Sequence, residues 1–105
     1  MHVRMARYGY TGDARDIAQT AERGMLPIFQ SQPGFVSYSL AEGDDEILSM
    51  SVWSSHADAE RGTEAAADWI AKNLSSQLDL IELRYGDLLF STSLGVTTAT
   101  AASTA

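Results

Sequence analysis

The spacing of hydrophobic and polar positions changes several times along the chain, and each change marks an element. Residues 3–10, VRMARYGY, are rich in strand formers and predict a first strand, which Thr11-Gly12 breaks. From there the period lengthens. Ala14, Ile17, Ala18, Ala21, Met25, Ile28 and Phe29 recur at spacings of three and four, which predicts an amphipathic helix. Asp13 is its expected N-cap, with Asp16 three residues on in a capping-box pattern. Pro27 has no backbone donor, so a kink or restart is expected near Met25, and Pro33-Gly34 ends the region.

Alternation returns at 35–42, FVSYSLAE, and again at 46–53, EILSMSVW. Gly43-Asp44-Asp45 between them predicts a hairpin. Ser55-His56-Ala57-Asp58 reads as a second capping box. The helix after it places Ala59, Gly62, Ala66, Trp69, Ile70 and Leu74 on one stripe and ends near Asn73-Leu74-Ser75. A last strand is expected over 80–90, LIELRYGDLLF, with a break at Gly86-Asp87. One domain over 1–92 follows, with a low-complexity, uncharged tail over 93–105.

The order is β-α-β-β-α-β. Right-handed crossovers make this an α+β subunit with a four-stranded antiparallel sheet and both helices on one face. The other face is left bare. Leu48, Met50 and Val52 alternate with Ser49, Ser51 and Trp53, and Val36, Tyr38 and Leu40 with Phe35, Ser37 and Ser39, so neither hairpin strand has a charged side. A sheet that is apolar on both sides needs a second cover, and another copy of the chain is the simplest one. A homodimer is expected.

Composition narrows the partners. The 105 residues carry 7 Lys+Arg against 14 Asp+Glu, a net charge of −7. Lys72 is the sole lysine. Such a chain is a poor match for nucleic-acid phosphates or anionic membranes. It has no cysteine, which excludes disulfides and thiolate chemistry. No segment resembles a membrane span, and MHVRMARYGY lacks a signal-peptide apolar stretch, so a cytoplasmic location is expected. His2 and His56 stand far apart in sequence and read as exposed, which argues against a metal site.

Pro33-Gly34-Phe35-Val36-Ser37-Tyr38, then Ser51-Val52-Trp53-Ser54-Ser55, then the alanine-rich helix through Trp69, resemble the antibiotic-biosynthesis-monooxygenase family. The element order matches over most of residues 1–90. The resemblance implies a ferredoxin-like subunit pairing as a dimeric α+β barrel, in agreement with the dimer argued above. It also implies a choice among cofactor-free oxygenation of phenols or quinols, haem degradation, and no reaction. The haem-degrading pattern fails at three places: Lys72 and Gly62 stand where a histidine and a tryptophan are needed, and the first strand has no asparagine. Of the cofactor-free pattern, the strand-three tryptophan is present as Trp53, while Ser49 replaces an asparagine.

The expected function is a cofactor-independent monooxygenase acting on a small phenolic or quinol-type aromatic, with no metal or other cofactor. A non-catalytic dimeric barrel binding a small apolar metabolite, or a purely structural dimer, is the alternative. Trp53 is either a core residue or a wall that stacks on a planar ligand. Trp69 reads first as a core anchor. If the hairpin places Ser37, Ser39, Ser49 and Ser51 on one face with Trp53, their small hydroxyls would floor a cavity, with Tyr38 nearby. Arg84 is the candidate for stabilising an anionic oxygen, with an ion pair to Glu82 as its simpler role. No residue stands out as a general base.

Overall fold

The computed structural model describes residues 1–101. The strands β1 (His2–Tyr10), β2 (Phe35–Gly43), β3 (Glu46–Trp53) and β4 (Leu78–Asp87) form one antiparallel sheet in the order β2-β3-β1-β4. The helices α1 (Ala14–Ser31) and α2 (His56–Asn73) are the two crossovers, and a single turn, α3 (Thr98–Ala101), lies near the end. This is the βαββαβ order read from the sequence. No helix among the described residues is long and apolar enough to cross a membrane.

Both long helices begin where a side chain satisfies free backbone donors. Asp13 accepts from the N–H groups of Arg15 (2.8 Å) and Asp16 (3.2 Å), and Ser55 accepts from that of Asp58 (3.1 Å). α1 does not restart near Met25. It runs unbroken through Pro27, with Ile17, Ala21, Met25 and Phe29 buried along one stripe. The last strand starts at Leu78, two residues before the expected Leu80, and ends at Asp87 instead of reaching Phe90. Beyond it, Ser91 and Val96 form an isolated bridge. The final four residues of the expected tail, 102–105, lie outside the described residues.

Small residues let the layers approach. A Cβ on Gly62 would sit 2.4 Å from the Trp53 ring, and one on Gly24 would sit 2.4 Å from the Trp69 ring. Trp53 therefore lies under α2, and Trp69 wedges between α2 and α1. Tyr8, Ile17, Ile47 and Leu74 gather at one end of the helix–sheet interior. Met25, Phe29, Trp53 and Ala59 gather at the other.

The opposite sheet face is open over its middle, although Val52 at the end of β3 on the same face is buried. Met5 is 54% exposed and Met50 46%, and Leu48 is exposed with them. A half-open depression of about 330 Å³ runs between Met5, Arg7, Ser39, Leu48, Met50 and Arg84. Arg7 crosses this face in two ion pairs, to Glu46 (3.0 Å) and Glu82 (2.9 Å). Its hydrogen bond to Glu82, then that to Glu46, raises the Arg7 pKa. The bonds from Arg7 and Arg84 hold Glu82 below the usual carboxylate range.

Candidate functional site: a buried arginine between sheet and helices

The hairpin turn decides which serines meet. It holds two residues, Asp44 and Asp45, with Asp45 at φ +56°. That register pairs odd with even positions: Ser37 with Val52, Tyr38 with Ser51, Ser39 with Met50, Leu40 with Ser49. Directly paired residues share a face. Ser37 and Ser39 therefore lie on the open face, and Ser49 and Ser51 face the helices. The four hydroxyls do not form one floor, which corrects the shared-face expectation. An irregularity between Phe35 and Ser37 returns Phe35 to the helix side, where it pairs with Trp53.

Nor is the volume beside Ser49 and Ser51 empty. β1 is their neighbour on the other side, pairing Arg4 with Ser51 and Ala6 with Ser49. The long side chain of Arg4 takes the room that the small residues leave. It is 2% exposed and sits among aromatic and aliphatic groups. Its Nε donates to Thr63 Oγ1 (2.7 Å) and an Nη donates to the Tyr8 hydroxyl (3.3 Å). Thr63 Oγ1 is also 2.6 Å from the Tyr85 hydroxyl, and its own hydrogen can go to the Ala59 carbonyl oxygen (3.1 Å). The chain Arg4–Thr63–Tyr85 thus ties β1, α2 and β4 together. Arg4 forms no ion pair with a described carboxylate.

Trp53 is fully buried and gives its indole N–H to Ser51 Oγ (2.9 Å). Phe29 and Phe35 meet it edge-on at 5.2 and 5.5 Å. Tyr38 packs edge-on against Phe29 at 4.8 Å. Burial pushes the Tyr38 hydroxyl far above its usual range, with Tyr8 adding to that effect and Arg4 opposing it. Tyr38 is therefore a proton-bearing donor. Arg4, Tyr8, Tyr38, Ser49 and Trp69 line one small cavity of about 20 Å³. Arg84 lies elsewhere. It is exposed on the open face, 2.6 Å from Glu82, across the sheet from Trp53.

Sequence reasoning missed Arg4. The signal was its parity with Ala6 and Tyr8 on a strand flanked by small residues. That signal needs the strand order, which places β1 in the middle beside β3.

The histidines, read as scattered, also meet. His2 Nε2 lies 2.8 Å from His56 Nδ1, with Asp87 on His2 Nδ1 (2.9 Å) and Glu60 on His56 Nε2 (2.9 Å). Tyr85 packs edge-on against His56 at 4.9 Å. No group of three or more metal-ligating side chains among the described residues is placed to hold a metal.

No protein-family model and no curated protein matches the sequence. Solved structures do match. One is SnoaB, a cofactor-independent oxygenase from Streptomyces nogalater, at 19% identity and a TM-score of 0.68, covering 87% of this chain and 95% of that one. Another is an antibiotic biosynthesis monooxygenase family structure from Chloroflexus aurantiacus, at 20% identity and a TM-score of 0.66, covering 90% and 98%. A third, of the same family from Nitrosomonas europaea, has 12% identity and a TM-score of 0.67, covering 86% and 100%. The chain has the fold of the antibiotic biosynthesis monooxygenases. At these identities the likeness concerns the fold alone.

Proposed function

We propose that this chain is a member of that family acting as a cofactor-independent monooxygenase on a small phenolic or quinol-type aromatic, and that it works as a homodimer. The observation that carries the reading is Arg4, a buried guanidinium held in place by Thr63 and Tyr8 with no carboxylate to neutralise it. A fixed cation in a dry interior stabilises a phenolate, enolate or peroxide oxygen far better than one in water. Tyr38 supplies a neutral donor beside it. Trp53 acts by packing: pressed on Gly62, it fixes the turn of α2 that presents Thr63 to Arg4. Trp69 walls the same space.

The substrate supplies the redox chemistry. For an anthrone-type ring, the C–H proton passes to bulk water as the ring enters, and the resulting anion passes one electron to O₂. The radical pair then joins in a C–O bond. The peroxide takes up a proton and loses water, leaving a carbonyl. One CH₂ and one O₂ become one C=O and one H₂O, with every electron drawn from the substrate. The aromatic ring does not fit in about 20 Å³, so it must open a way in. Two surface grooves of about 200 Å³ flank the seam between α1 and β2, both bordered by Ala18 and Leu40. Separation of α1 from β2 there opens a way to Tyr38, which borders one of the two grooves.

The same narrow cavity favours the second reading, a dimeric barrel with a filled core. Oxygen uptake by purified, metal-free protein with hydroquinones, anthrones and catechols separates the two. The oxygenase accelerates uptake above the spontaneous rate. Arg4→Gln lowers that acceleration by about 10²-fold or more, the cost of losing an oxyanion donor, while Trp53→Phe lowers it less. No acceleration with any of them leaves the dimeric barrel.

A further inference from the structure

The surroundings of Arg4 are unbalanced in a way that needs no substrate to notice. A buried cation without a counter-charge is a costly state. The described neighbours supply hydrogen-bond donors and apolar groups but no anion. Tyr8 has accepted a hydrogen bond from Arg4 and keeps its own hydrogen to give. Tyr38 and Ser49 line the same space and give their hydroxyl hydrogens to no acceptor among the described residues. No fully buried polar side-chain atom there lacks a partner, so these two hydroxyls have open space beside them. The cavity that both residues line is about 20 Å³, and roughly 10–15 Å³ suffices for one water-sized species.

We propose that this cavity is a binding site for one small inorganic monoanion of chloride size, held by the Arg4 guanidinium and the hydroxyls of Tyr8, Tyr38 and Ser49. A water there would satisfy the hydroxyls but leave the charge unanswered. Sulfate and organic carboxylates are too large for the space. The ion occupies the place that the oxygenase reading gives to the substrate's oxyanion, so a substrate displaces it there, while a structural dimer keeps it.

The test is the thermal midpoint of the full chain in sodium chloride and in sodium gluconate at matched ionic strength, with the ³⁵Cl NMR linewidth as a second readout. Chloride raises the midpoint by about 5 °C or more per tenfold increase above half-saturation. Gluconate does not. The ³⁵Cl line broadens on adding protein, and Arg4→Met removes both effects while Arg23→Gln, an exposed arginine on α1, retains them. An equal response to both salts, or a chloride response that survives Arg4→Met, overturns the proposal. If Arg4→Met does not fold, Tyr38→Phe and Ser49→Ala decide: each raises the half-saturating chloride several-fold, and an unchanged value in both overturns it.

Discussion

Single residues in this protein divide between those that fill space and those that carry charge into it. Trp53 could be read either way from sequence, because a large aromatic at a strand end suits a core and a pocket equally. Its contact with Gly62 settles its immediate surroundings: the ring has no free face there. Gly62→Ala is expected to cost about 1–3 kcal/mol through overpacking, read as a lower urea midpoint with an unchanged m-value. Tyr38 makes a second prediction. Its raised pKa means that above pH 10 the unfolded chain loses this proton before the folded one does. Stability present below pH 10 is then lost as pH rises, and Tyr38→Phe should flatten that alkaline decline. A decline of equal slope in both proteins would show that Tyr38 is not the group responsible.

At the scale of elements, what the sequence made legible was periodicity, and what it hid was register. The spacing of Ile17, Ala21, Met25 and Phe29 was enough for α1, and the helix absorbed Pro27 because its buried stripe continues on both sides of that residue. The serines were misplaced because parity within a strand says nothing about parity across a turn. Two turn residues instead of three moved Ser37 and Ser39 to the open face. Arg4 was hidden for a related reason, since only the sheet order reveals that β1 faces Ser49 and Ser51. The ion pairs across β3, β1 and β4 carry an acid-side prediction. Glu82 is held below its usual range by Arg7 and Arg84, so its contribution is present above the ordinary carboxylate range and lost as pH falls through its folded value. Glu82→Gln should weaken the protein at neutral pH and reduce the loss on acidification, measured by urea midpoints between pH 7 and pH 3.

For the whole molecule, the bare sheet face was visible in the alternation of Leu48, Met50 and Val52 with small residues, and the fold leaves Leu48 and Met50 uncovered while it buries Val52. A second copy seated there predicts that Met50→Glu gives a monomer by light scattering while retaining its helical circular dichroism, because Met50 touches solvent and not the core. A wild-type monomer, or a dimer unaffected by the charge, would exclude this face as the interface. The chemistry was less legible than the fold. Arg84 drew attention as a charged residue among apolar ones, yet the cation that the fold buries is Arg4. The most direct test of the central claim follows the oxygen atom. With ¹⁸O₂, metal-free protein and an anthrone, the account predicts enzyme-accelerated formation of a quinone carrying one ¹⁸O, with the acceleration lost in Arg4→Gln. A labelling rate no faster than in buffer, or one unchanged in Arg4→Gln, would contradict it.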